Sequence, residues 1–245
     1  MAHSDRAVLR VSGPDSLNFL QGLVTNDVTK LQNGLVYAAL LTPQGKYLAD
    51  FFLVPDGEDI LIDADAAQAP ALLQRLSMYK LRSKVEIAQT DLVVSRGIGN
   101  PPDGAFADPR NAILGWRGYA GQPGDEADWD ALRVAACIPK SSVELTPDTF
   151  ILEAGFERLN GVDFKKGCYV GQEVTARMKH KTELRKGLAQ VLVEGRAPVG
   201  AELTSAGKAA GTLYTQSGGR GIAYLRFDRA SEAMQAEGAT VRYPA

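Results

Sequence analysis

Phe164-Lys165-Lys166-Gly167-Cys168-Tyr169-Val170-Gly171-Gln172-Glu173 is the most informative run of the 245-residue chain. Gly167 and Gly171 bracket Cys168-Tyr169-Val170 and imply a tight backbone path. A cysteine directly after Lys-Lys-Gly sits in a positive local field, which favours thiolate over thiol because it stabilises the charged form. Gln172-Glu173 opens an expected helix through Lys179, whose dipole adds to the same effect if Cys168 lies near its start. Two readings of Cys168 stand at this point. One is a reactive, accessible thiol; the other is a small buried side chain in a turn, which spacing alone favours.

The charge around this run is lopsided. Lys165, Lys166, Arg177, Lys179, Lys181, Arg185 and Lys186 face only Asp163, Glu173 and Glu183. Such a run is either a solvated face or a patch for an anionic ligand. No aromatics are interleaved with the bases, which argues against single-stranded nucleic acid as a direct ligand. A Cys–His nucleophile needs a positioned imidazole. The two histidines are His3, at the terminus, and His180, twelve residues after Cys168 in the basic stretch, so a cysteine hydrolase ranks low.

Composition sets wider bounds. An apolar content of 45%, a charged content of 23% and a net charge of −2 are ordinary for a globular protein, with no overall case for membrane or nucleic-acid affinity. Cys137 and Cys168 are too few for a disulfide scaffold and lack metal-ligand spacing, so no metal site is expected. The first residues hold no apolar signal region, and no stretch approaches the roughly 18–20 apolar residues that cross a bilayer. A bacterial-type cytoplasm, or an organelle matrix, is the expected compartment.

Working outward, Ala7–Val11, Val36–Leu41, Lys46–Val54 and Ile60–Asp63 read as strands, with helices over Leu17–Val24 and Ala64–Met78. Lys84–Ala88, Leu92–Ser95 and Ile113–Tyr119 read as further strands, Gly97–Arg110 as a loop, and Trp129–Cys137 as a helix. After Leu184 the texture changes to short strands with Gly and Pro turns: Gly187–Val193, Glu202–Thr204, Ala209–Thr215, Gly221–Phe227 and Thr240–Tyr243. The fold class is α+β. The expected division is residues 1–183, in parts of roughly 1–90 and 91–183, followed by a small β domain over 184–245.

Lys166-Gly167-Cys168-Tyr169-Val170-Gly171-Gln172-Glu173 matches K-G-C-[FY]-x-G-Q-E. The chain therefore resembles the YgfZ family, folate-binding proteins related to the T-protein (aminomethyltransferase) of the glycine cleavage system, whose mitochondrial members act in iron–sulfur protein maturation. The resemblance covers nearly the whole chain. It extends to Val11–Asp15, Phe19-Leu20-Gln21, Thr25-Asn26-Asp27-Val28, Thr42-Pro43-Gln44-Gly45-Lys46 with Asp50-Phe51, Tyr79–Val85, Ile151–Gly155, Gly211-Thr212 and Gly221-Ile222-Ala223.

That resemblance implies a T-protein-like fold of interleaved α+β subdomains around a central folate pocket, then a C-terminal β-barrel. It implies tetrahydrofolate or a derivative as cofactor, Cys168 as a working thiol, and Asp50 as a carboxylate meeting the folate. Glu153 takes the place of a pterin-contacting Glu, and Lys166, Gly167, Tyr169, Gln172 and Arg177 complete the binding set. The T-protein carries an Asp-Asp pair where this chain has Ala49-Asp50, which weighs against aminomethyl transfer. An ionised carboxylate accepts hydrogen bonds from pterin N–H groups. Strand alternation leaves open whether Asp50 lines a pocket or faces solvent. Glu153, beside Leu152 and Ala154, suits a partly buried acceptor better than a surface ion pair.

Three functions are carried forward. The first is a tetrahydrofolate-binding factor that maintains iron–sulfur enzymes, with those enzymes or their assembly factors as partners, in the cytoplasm of a bacterium or the mitochondrial matrix of a eukaryote. The second is a folate-dependent one-carbon transferase. The third is an RNA- or protein-binding module using the basic stretch.

Overall fold

The computed structural model describes residues 5–180, 183–230 and 233–244; His3 and Lys181, named above, lie outside them. The chain forms two compact units interleaved in sequence. The first is Met1–Ala127 with Glu157–Ala176, and the second is Asp128–Phe156 with Arg177–Ala245.

The first unit begins with β1 (Arg6–Ser12), α1 (Ser16–Gln21), β2 (Val36–Leu41), β3 (Tyr47–Asp56), β4 (Asp59–Asp65), α2 (Ala69–Lys80) and β5 (Glu86–Gln89). These strands make a five-stranded sheet in the order β2-β3-β4-β1-β5, with antiparallel neighbours. Side chains alternate across a strand, so each strand feeds two faces. Leu9, Val11, Val36, Ala38, Leu40, Ala49, Phe51, Leu53, Ile60, Ile62 and Ala64 share one face and pack with Phe19 and Leu20 of α1 and Leu72 and Leu76 of α2. Each Val, Leu, Ile or Phe among them contributes about 1.5–3 kcal/mol on burial, so this face drives assembly of the sheet. The other face carries Arg6, Tyr37, Asp50, Phe52 and Asp63, in register as Tyr37↔Phe52 and Phe52↔Asp63. A second sheet, β6 (Ser95–Gly97), β7 (Ala105–Ala107) and β8 (Trp116–Gly118), runs in the order β6-β8-β7.

Several boundaries differ from the sequence reading, each for a local reason. The helix expected from Ala64 starts at Ala69, because β4 stays paired to β1 through Asp65. The loop expected over Gly97–Arg110 contains β7, whose pairing to β8 is long-range and has no local signature. The strand expected over Leu92–Ser95 is displaced to β6. Ile113–Tyr119 is broken by Gly115, which turns the chain at φ +62° between a 3-10 turn and β8.

The second unit contains α3 (Trp129–Ala135), the C-terminal part of α4 (Gln172–His180), and β9 (Lys186–Gly195), β10 (Ala201–Ser205), β11 (Lys208–Ser217), β12 (Arg220–Arg226), β13 (Met234–Ala236) and β14 (Ala239–Arg242). The six strands close a barrel in the order β10-β11-β12-β9-β14-β13, filled by Val191, Leu203, Leu213, Leu225, Met234 and Val241. The short β13 had no strand signal of its own.

The segment Asp128–Phe156 groups with the barrel strands, and buried polar groups explain why. Arg133 of α3 donates to the Ile138 carbonyl (2.9 Å), to Glu144 (3.3 Å) and to the Thr215 hydroxyl of β11 (3.1 Å). Glu144 in turn accepts from the Thr215 backbone N–H and hydroxyl. Removing one member would strand a buried charge, so the segment and the barrel hold together. Among the described residues no helix is long and apolar enough to cross a membrane.

Candidate functional site

The predicted site residues divide between the units. Asp50, Lys166, Gly167, Cys168, Tyr169 and Gln172 lie in the first, and Glu153 and Arg177 lie in the second.

In the first unit the signature run is a loop fixed at several points. Lys166 is buried, and its ammonium donates to the Gln21 carbonyl (2.7 Å) and the Val24 carbonyl (2.6 Å). It lies 5.1 Å from the centroid of the Tyr169 ring, which is also buried. Burial lowers the Lys166 amine to about 8, against the opposing pull of Asp27 and Asp163. Asp163 accepts the backbone N–H groups of Lys165 (2.6 Å) and Lys166 (3.2 Å), pairs with Lys30 (2.7 Å), and gives its own N–H to the Thr25 carbonyl (3.0 Å). Gly171 holds φ +83°; a Cβ there would lie 2.6 Å from the Thr42 carbonyl oxygen. Gly45 faces it across the turn, and a Cβ on Gly45 would meet Val174 at 2.8 Å. Sequence blocks far apart in the chain thus meet here: Gln21–Asp27, the turn Thr42–Lys46, and the signature itself.

Cys168 and Gly167 are exposed at the crest of this loop. Of the two readings of Cys168, the buried turn residue is therefore excluded. Lys166 is corrected too: its charge is spent on backbone carbonyls, so it clamps the loop and is not offered to an anionic ligand. Tyr169 packs beneath Lys166 in the same supporting role. Gln172 begins α4, half-buried, four residues after the cysteine.

Asp50 resolves the alternation left open by sequence. It is buried on the polar face, and accepts from the Tyr47 hydroxyl (2.6 Å) and the Tyr37 hydroxyl (2.9 Å). Tyr47 also lies 3.1 Å from the Gln68 side-chain oxygen. Burial first, then the Asp50 carboxylate, push the Tyr37 phenol well above its ordinary value, so it stays a proton donor. Ala49, the other position of the pair, packs on the opposite, apolar face. The one carboxylate this chain keeps is thus the one on the polar face.

The same face holds a denser charge network. Asp63 accepts from Arg6 (2.6 Å), Arg117 (2.7 Å) and the Tyr119 hydroxyl (2.8 Å). Burial alone would raise its carboxyl; Arg117 and Arg6 outweigh that and hold it at about 2. Arg110 forks onto Asp108, at 3.0 and 2.7 Å, and lies over the rings of Phe52 (4.7 Å) and Tyr37 (5.3 Å). Sequence reading missed Tyr37, Tyr47 and this network. The available signal was isolated polar residues in otherwise apolar strands, Asp63 above all.

In the second unit Glu153 is half-buried and tied to the barrel. Its carboxylate accepts from the Tyr224 hydroxyl of β12 (2.7 Å), and its backbone carbonyl accepts from the Leu188 N–H of β9 (2.7 Å). A Cβ at Gly187 would lie 2.9 Å from that carbonyl, so the close approach needs glycine. Burial and Glu153 push the Tyr224 phenol up, which keeps it a donor. Arg177 is exposed in the last turn of α4.

Residues 185–244 match the model of the CAF17 C-terminal beta-barrel domain, the segment that closes the barrel. Over 90% of its length the chain is 33% identical to the iron–sulfur cluster assembly factor IBA57, mitochondrial, of Mus musculus, covering 75% of that protein. The chain belongs to the YgfZ/IBA57 family, with a fold like that of the aminomethyltransferases. The human IBA57 relative is 32% identical, with the same coverage of both chains. The IBA57 homolog of Mycosarcoma maydis is 35% identical over 74% of this chain, which spans only 54% of that longer relative. The crystal structure of glycine cleavage system aminomethyltransferase T from Bartonella henselae superposes with a TM-score of 0.77 over 97% of this chain and 82% of its own, at 17% identity. The T-protein-like fold expected from the YgfZ/IBA57 signature is therefore the fold observed.

Proposed function

We propose that this chain serves iron–sulfur cluster assembly, with Cys168 as its working thiol, and that it binds tetrahydrofolate or a derivative with Asp50 as an acceptor. The observation that carries the first part is the presentation of Cys168: an exposed thiol on a loop held by Lys166, Tyr169 and Gly171. The relatives named as iron–sulfur cluster assembly factors support it. Thiolates are the usual protein ligands of iron–sulfur clusters, which take four. One cysteine supplies one ligand, so Cys168 handles a cluster together with thiols of a partner, an iron–sulfur enzyme or an assembly factor. In a eukaryote the compartment is the mitochondrial matrix, in keeping with the relatives' names, which call them mitochondrial.

The residues present fit a reduced folate in part. Asp50 is a carboxylate oriented by two tyrosine hydroxyls, and its acceptor oxygens suit the N–H groups of a pterin. Lys166 and Tyr169 do not fit as direct ligands, because their polar and aromatic groups are committed to the loop. Calorimetric titration with tetrahydrofolate tests this part. Binding to the intact protein is expected, and Asp50→Asn weakens it. No binding to the folded wild type removes the folate from the proposal and leaves the thiol.

A second reading, a folate-dependent one-carbon transferase, draws on Asp50 being the carboxylate on the polar face. Tetrahydrofolate carries one-carbon units on N5 of its ring and on the adjoining N10 amine, and Asp50 would orient that part of the molecule. The reading requires turnover of a methyl- or aminomethyl-bearing substrate, and a panel without turnover ends it.

A further inference from the structure

A groove of about 600 Å³ lies in the first unit, on the side of α1 and the β3–β4 hairpin. Pro14, Leu17, Leu31, Pro55 and Ile60 line it, together with Gln32. Leu17 is 43% exposed, a large apolar side chain left in water within this groove. Glu58 and Asp59 line its hairpin side. Arg10 reaches across from β1 to Asp56 (2.6 Å) and Asp59 (2.8 Å), which fixes the hairpin that carries them. Two carboxylates, Asp56 and Asp59, share the one guanidinium and Glu58 adds a third negative charge beside them, so the hairpin side is negative.

The plan of this groove separates the kinds of occupant. Small-molecule sites enclose the ligand and aim several polar groups inward. Here the lining is mixed, with Pro14, Leu17, Leu31, Pro55 and Ile60 beside Gln32 and the hairpin carboxylates Glu58 and Asp59, and apolar side chains next to charge of one sign suit a protein interface. A second copy of this chain would bring the same acidic side against itself in a two-fold contact, and like charges across an interface oppose association. We propose that this groove seats a segment of a partner protein in which an apolar side chain is flanked by lysine or arginine. The apolar residue enters between Pro14, Leu17 and Pro55, and the basic residues meet Glu58 and Asp59. Two lining prolines and a tethered hairpin make the groove preformed, so little ordering cost opposes docking. This surface is separate from Cys168 and stands whether or not a folate binds.

The test uses the full chain with the photo-crosslinking residue p-benzoylphenylalanine at position 17, irradiated in its host cells, with adducts mapped by mass spectrometry. The same residue at position 199, an exposed apolar site on the barrel unit, sets the background. Adducts at 17 are expected well above that background, on segments with an apolar residue beside Lys or Arg, and Glu58→Lys lowers their yield by about tenfold. Yield at 17 equal to the background, adducts to a second copy of the chain, acidic adduct segments, or a yield unchanged by Glu58→Lys would each overturn the proposal.

Discussion

Asp50 and Asp63 sit on one face of one sheet, on adjacent strands, and both are buried, yet they are held in opposite ways. The donors to Asp63 come from Arg6 on β1 and from Arg117 and Tyr119 on or beside β8, so this carboxylate ties two sheets together. Asp50 accepts from the hydroxyls of Tyr37 and Tyr47, on its own hairpin. Those two bonds orient the carboxylate from within the hairpin. Arginines from other elements make a buried carboxylate part of the framework, whereas neutral hydroxyls aim it without supplying a counter-charge.

The largest expected effect breaks the framework member. Asp63→Asn leaves Arg117 and Arg6 buried without their counter-charge and costs about 3–5 kcal/mol in urea unfolding. A loss as small as that of an ordinary surface substitution would remove the distinction between the two carboxylates. Acid probes the same group next. Its folded value is about 2 against an ordinary carboxylate value of 3.8, so its contribution is complete above the ordinary value and is lost as pH falls toward 2. The loss is on the order of 2 kcal/mol, and the unfolding midpoint of Asp63→Asn should lack this acid limb. A smaller effect belongs to the signature loop. Gly171→Ala forces a side chain at positive φ against the Thr42 carbonyl and costs roughly 1–3 kcal/mol. Tyr47→Phe sharpens the comparison from the other side. It costs about 1 kcal/mol in stability and weakens tetrahydrofolate binding by about tenfold, the scale of one hydrogen bond to a charged group. Unchanged folate binding in this variant would return Asp50 to the framework class.

The signature loop was legible in sequence because its signals are local: glycines where the backbone must turn, and a cysteine between them. The barrel was legible for the same reason, as short strands with turn residues, apart from β13. What Lys166 does was not legible, since its partners are carbonyls at Gln21 and Val24, more than a hundred residues away. The side on which Asp50 points was undecided because alternation defines two faces without naming them. Only the packing of α1 and α2 on the Ala49 face settles it. The grouping of Asp128–Phe156 with the barrel was not legible, since Arg133 and Glu144 meet Thr215 from across 82 and 71 residues of sequence.

The smallest expected change in stability carries the largest expected change in function. Cys168 is exposed, so Cys168→Ser should shift unfolding by no more than about 0.5 kcal/mol. In cells lacking the native gene, with iron–sulfur enzyme activity as the readout, the wild-type chain is expected to restore activity and Cys168→Ser to fail at equal protein level. Full restoration by Cys168→Ser would contradict the assignment of this thiol as the working group.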